Sequence, residues 1–217
     1  MDLRSQIALD IVRRDPAFAG IVSHVGLPPG RRPAPVAQRF PSLIRSITFQ
    51  LLATAAADTI HARVVSACGG EVSIDSVLAA GPQVLRAAGL SRTKAAAMLD
   101  LAAHARDERV KLSRHGRMSD SEIITEVTAV HGVGPWTTQM YLMHTLGRRD
   151  VWPVGDLGVR NGWSIVHGLE STISEKELRH RRDCKIQEGG AQPGKAAGRD
   201  EGNKGRDRDA GGKGREI

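Results

Sequence analysis

The chain has 217 residues, is 40% hydrophobic and carries a formal net charge of +7 with a pI near 10.0. That length buries one core or two small lobes, and Cys68 and Cys184 stand apart from any CxxC or Cys/His cluster, which argues against a disulfide framework and against a zinc or iron-sulfur centre. No apolar run approaches the roughly 18 residues of a membrane span, and Met1-Asp2-Leu3-Arg4 does not open a signal peptide, so a soluble intracellular protein without a membrane partner is expected.

The positive charge favours a polyanionic partner through phosphate neutralisation. Residues 171–217 hold 12 Lys+Arg against 9 Asp+Glu, so +3 of the +7 sits there and the rest of the chain is only mildly basic. Up to residue 120 the sequence is Ala-rich, with apolar residues at three- and four-residue spacing, and an all-α fold follows. Leu3, Ile7, Ile11 and Val12 predict a first helix; Asp15-Pro16 interrupts it before a second short one that reaches Val25, and Leu27 to Pro35 is a Pro- and Arg-rich loop. From Pro41 to about Ala57 a helix is expected with Leu43, Ile44, Ile47, Leu51 and Leu52 on one face, and another through His61, Val64 and Val65 ends at Gly69-Gly70. Short helices at Ser73–Leu78 and Gly81–Ala88 precede a longer one over Ser91–Arg106, capped by Ser91.

Ser119 and Glu122 form a capping box ahead of Ile123, Ile124, Val127 and Val130, which share a helical face. That helix stops at Gly132. The chain restarts at Gly134-Pro135, with Pro in a first turn where its missing N–H is harmless, and Gly147 closes the new helix. Beyond about Arg179 nine glycines fall between Gly189 and Gly214, and from Arg181 onward only Ile186 and Ile217 are large and apolar. No core can be built there, so two regions are expected: a helical domain over 1–178 and a charge-mixed, disordered tail over 179–217.

Three features carry chemistry, and each has a plainer reading. His131-Gly132-Val133-Gly134 is either an ordinary turn or a hairpin whose amides, next to a helix N-terminus, bind a phosphate. Trp136, Met140 and Met143 share a helical face that is either core or the wall of a pocket on which an extruded base stacks. Asp156 is at least the N-cap of a helix running to Val166; a helix start favours an anion, so the cap is compatible with a carboxylate that stabilises positive charge on a sugar or orients a water.

Val130-His131-Gly132-Val133-Gly134-Pro135-Trp136-Thr137, Asp150-Val151 and Pro153-Val154-Gly155-Asp156-Leu157-Gly158 resemble the helix-hairpin-helix glycosylase superfamily and, within it, the alkylated-base branch, 3-methyladenine DNA glycosylase II. The similarity runs from about residue 5 to 178 and takes in Gly89-Leu90-Ser91 with Lys94. It implies a two-lobed, all-helical, monomeric enzyme that binds double-stranded DNA, flips an alkylated base and hydrolyses its N-glycosidic bond. It makes Asp156 the catalytic aspartate, Trp136 and Met140 the stacking pocket, and Gly132, Val133, Gly134, Thr137, Gln50 and Leu51 the DNA-binding residues.

The resemblance also puts a DNA wedge on Leu51, within Arg45-Ser46-Ile47-Thr48-Phe49-Gln50-Leu51; a position in the core stripe is the other reading of that residue. Trp136 stands where bifunctional relatives carry a Schiff-base lysine, so no lyase activity and no cofactor are implied. A monovalent cation on the carbonyls of Thr128, Val130 and Val133 is implied. Two departures stand out. Met140 stands where some relatives present an aromatic to the base, and after Ser171-Thr172 the family's apolar, Trp-containing closing helix gives way to the Gly/Lys/Arg/Asp tail. A non-catalytic DNA-binding protein built on the same hairpin is the competing reading.

Overall fold

The computed structural model describes residues 3–26 and 32–181; most of the expected tail, with Cys184, and part of the 27–35 loop lie outside them. Among the described residues the structure is all-α. Helix α1 spans Leu3–Arg14, a 3₁₀ turn follows at Pro16–Phe18, and α2 covers Ala19–Val25. Then come α3 (Val36–Phe49), α4 (Thr54–Ala67), α5 (Ile74–Ala87), α6 (Arg92–Arg106), α7 (Asp120–Thr128), α8 (Pro135–His144) and α9 (Leu157–Val166). A last helical segment occupies 175–181. No helix among the described residues is long and apolar enough to cross a membrane.

The cap residues act as expected. Ser91 Oγ accepts the amide of Lys94, and Ser119 and Glu122 close a reciprocal box. The two short helices expected between 73 and 88 are the two halves of α5, separated by a non-helical Gly81 at φ 68 and ψ 175.

One expectation fails. The single helix over Pro41–Ala57 is two helices: α3 begins five residues before Pro41 and ends at Phe49, and α4 starts at Thr54. Leu43, Ile44 and Ile47 are fully buried as the stripe requires, but Leu51 and Leu52 are not part of it and face outward. The break follows from contacts to distant segments, described with the site below.

Two apolar cores divide the molecule. Among the described residues the buried part of the larger comes from α3–α8 and their connections, from Phe40 to Leu146, around Leu43, Ile44, Leu85, Met98, Leu101 and Ile123, with Val151 packed on it. The smaller gathers Val154, Trp163, Ile173 and Leu178, with Phe18, Trp152, Val159 and Leu169 packed on it. It therefore joins the first segments of the chain to α9 and to the 175–181 helix, whose Leu178 is fully buried. Asp15 and His167 pair across it at 3.1 Å, and the His167 ring stacks on Trp163 at 4.0 Å.

The irregular stretch between α6 and α7 is held by cations reaching its carbonyls. Buried Arg39 donates to the carbonyls of Leu112 and Ser113, and Arg148 to those of His115 and Met118. Beneath them His115, fully buried, lies 3.0 Å from the Tyr141 hydroxyl and 3.4 Å from Glu126. A neutral imidazole satisfies both neighbours, accepting from the tyrosine at Nδ1 and donating to the carboxylate at Nε2.

Burial pushes the His115 pKa below its ordinary 6.5 despite Glu126 beside it. Burial also works to raise Glu126, but the Lys111 amide and His115 outweigh it and hold that carboxyl low. The sign follows. Above the unfolded histidine's value of 6.5 neither state gains a proton; below it the unfolded chain binds one that the folded chain resists, so stability drains away. Glu126 adds a loss in the same direction below its ordinary 4.5. Melting temperature should be level at neutral pH and fall on acidification from about pH 6.5, and thermal melts across pH 4 to 8 check it; a curve flat to pH 5 would contradict it.

Candidate active site

The site is assembled around the N-terminus of α8. Its hairpin is fixed from behind. Val133 is buried in the large core, its amide turns back to the Val130 carbonyl at 3.1 Å, and the amide of His131 donates to the Asp100 carboxylate at 2.7 Å. Gly132 has φ +75, and a Cβ there would stand 3.1 Å from the Cβ of Ala97, so both backbone conformation and close approach to α6 demand glycine. Gly134 caps α8 and Pro135 opens it. With the amides of His131 and Val133 satisfied internally, Gly134 and the first turn of α8 are left to offer N–H groups to an anion.

Consecutive residues of that first turn then reach in two directions. Trp136 Nε1 donates to Asp156 Oδ2 at 2.6 Å, tying α8 to the small lobe. Asp156 Oδ1 accepts the Val159 amide at 2.9 Å, so one carboxylate caps α9 with one oxygen and holds the indole with the other. Gly158 clears its space: a Cβ there would lie 3.0 Å from Asp156 Oδ1. The tight turn ahead of it, in which the Asp156 amide bonds the Pro153 carbonyl, is pinned by buried Val154. Trp136, Met140 and Asp156 are all half-exposed, as an accessible surface requires.

Thr137 points the other way. Its hydroxyl is buried and accepts from Gln50 Nε2 at 2.8 Å, and the same amide lies 3.2 Å from the Gly132 carbonyl. Both side chains, expected to touch DNA, therefore brace the hairpin against the α3–α4 turn. That turn presents Leu51 at φ +54 and 102% exposure, which removes the core-stripe reading of Leu51.

Cavities of about 410 and 490 Å³ lie elsewhere, lined by Lys111, Arg114, Met118 and Glu122 among others, and Trp136 and Asp156 border neither. No cluster of His, Cys, Asp and Glu among the described residues could hold a metal ion.

Residues 44–187 match the HhH-GPD superfamily of base excision DNA repair proteins, a span that holds the Leu51 turn, the hairpin and Asp156. The chain belongs to that superfamily. DNA-3-methyladenine glycosylase 1 of Schizosaccharomyces pombe is 29% identical over 149 residues, 67% of this chain and 65% of that protein. The DNA-3-methyladenine glycosylase of Saccharomyces cerevisiae is 28% identical over 188 residues, 81% and 64%. The chain thus spans just under two thirds of these curated relatives. The structure of the Schizosaccharomyces pombe 3-methyladenine DNA glycosylase in complex with abasic DNA superposes with a TM-score of 0.71 at 26% identity, covering 78% of this chain and 84% of that one. A DNA-3-methyladenine glycosidase from Bacillus halodurans does so at 0.68 and 28%, covering 81% and 79%.

The resemblance takes in Gln50 and Lys94, but the contacts they make in this HhH-GPD site, and the whole part played by Asp100, escape a reading of the sequence. Asp100 anchors the hairpin from the middle of an Ala-rich helix, and Lys94 and Gln50 shape the Leu51 turn from separate elements.

Proposed function

We propose that this chain is a monomeric, monofunctional DNA glycosylase that flips an alkylated purine of the 3-methyladenine or 7-methylguanine type out of duplex DNA and hydrolyses its N-glycosidic bond. The observation that carries the reading is the 2.6 Å contact between the Trp136 indole and the Asp156 carboxylate, which unites a π surface and an anion beside a hairpin suited to a phosphate.

Each part has a task. The free amides of Gly134 and the α8 first turn hold a backbone phosphate without reading sequence. Leu51 fills the gap left in the base stack. The flipped base lies against Trp136 and Met140, where a cationic ring gains attraction to the indole face. The anion of Asp156 stabilises the positive charge that grows on the sugar as the C1′–N bond breaks.

Water supplies the oxygen that bonds to C1′ and gives up a proton, and the base departs with the electron pair of the broken bond. A base that was cationic leaves neutral, so no acid has to protonate it. The resemblance that places Trp136 where lyases carry lysine supports hydrolysis alone. Neutral carbonyls of Thr128, Val130 and Val133 suit a monovalent ion that would add positive charge beside the phosphate; that of Val130 has one lone pair engaged by the Val133 amide.

Methylated duplex DNA incubated with the purified protein should release free 3-methyladenine and 7-methylguanine, resolved by chromatography, while the strands stay whole until alkali cleaves the abasic sites. Folded, DNA-bound protein that frees no base would end the reading. Nicks without alkali would end its monofunctional part.

A further inference from the structure

The turn that presents Leu51 is unfavourable by itself. α3 ends at Phe49, the Gln50 amide makes only a long 3.4 Å bond to the Ile47 carbonyl, and Leu51 combines a left-handed backbone with a fully solvated apolar side chain. Something outside α3 has to hold it.

Lys94 does so. Its Nζ donates to the Thr48 carbonyl at 2.8 Å and to the Gln50 carbonyl at 2.6 Å, satisfying the C-terminal end of α3 and clamping the residue just before Leu51. The placement serves α3 at the expense of its own helix. Lys94 sits in the first turn of α6, where the helix dipole disfavours a cation, whereas the C-terminus of α3 welcomes one. Burial also lowers the Lys94 pKa. One face of α6 carries the rest of the support at helical spacing: Ala97 seats Gly132, and Asp100 holds the His131 amide.

Resting on the reading of Leu51 as a DNA wedge, we infer that Lys94 is a positioning residue that sets Leu51 in register with the phosphate-binding hairpin, with α6 as the common base for both. Its ammonium is engaged by the Thr48 and Gln50 carbonyls, so it acts through the turn.

The test uses full-length wild type, Lys94→Met and Lys94→Arg on duplexes with 2-aminopurine beside an abasic site, whose fluorescence rises on unstacking. Binding by anisotropy, single-turnover base release and thermal melts are measured in parallel. Lys94→Met should bind duplex DNA within about threefold of wild type, because the hairpin phosphate contacts persist. It should lose most of the fluorescence rise and release base about tenfold more slowly, as expected when a working part is displaced. Lys94→Arg should recover much of both.

Wild-type unstacking by Lys94→Met overturns the inference. So does a deficit in which binding, unstacking and release fall together in proportion to the folded fraction. A wild type that unstacks DNA without freeing a base defeats the glycosylase reading and leaves the role of Lys94 standing. A wild type that does not unstack DNA defeats both the wedge and the inference.

Discussion

Asp156→Asn should slow base release by about 100-fold or more, the loss expected when a charge aimed at a developing opposite charge is removed from a preorganised site. The substitution keeps the shape and removes the charge. It cannot keep every bond, because the carboxylate uses one oxygen for the Val159 amide and the other for Trp136 Nε1. Asparagine caps a helix as well as aspartate does, so its single oxygen serves α9 and its amino group faces the indole N–H. Stability should drop by about 2 kcal/mol, the value of one hydrogen bond to a charged group. Duplex affinity should be retained, since the hairpin amides are untouched. Single-turnover release, anisotropy and thermal melts on the same preparation separate these quantities, and release at the wild-type rate would remove Asp156 from the chemistry.

Leu51→Gly should act in opposite directions on folding and on activity. A left-handed backbone costs a residue with a Cβ roughly 1–2 kcal/mol, and glycine escapes that cost while losing about 0.5–1 kcal/mol to its freer unfolded chain. With the side chain 102% exposed, no packing is forfeited. The melting temperature should therefore hold or rise slightly. Base release should fall about tenfold to a hundredfold, because support for an unstacked base step is worth a few kcal/mol and glycine supplies none. Leu43→Ala, in the core on α3 itself, should instead melt early. Leu51→Gly with full activity and unchanged unstacking would show that the turn has no part in opening the duplex.

These two residues also mark the boundary of what is legible in the sequence. Asp156, the Ser91 cap, the Ser119/Glu122 box and the Gly132 turn were readable because each is settled by neighbours within a few positions, where side-chain capping and glycine's permitted φ operate. The end of α3 was not. Leu51 and Leu52 continue an apolar period and Ala53-Thr54-Ala55 does not oppose a helix, so local preference ran through the break. What stops the helix is a pair of contacts from far along the chain, Lys94 onto the Gln50 carbonyl and the Gln50 side chain onto Thr137. The Arg39 and Arg148 contacts that shape the 107–118 stretch were invisible for the same reason: they bind backbone carbonyls, which every residue has.

The two cores also differ in when they can form. The buried residues of the larger come from one contiguous run between Phe40 and Leu146, with Val151 packed just beyond it, and can assemble as soon as that run leaves the ribosome. The smaller must wait: the Asp15–His167 pair spans 152 residues, and Phe18 meets Trp163 only once α9 has emerged. Contacts of such separation form slowly. Asp156 therefore joins the molecule late, on a helix secured after the hairpin is already complete, so a nascent chain would finish the proposed phosphate clamp before it gained the proposed catalytic carboxylate.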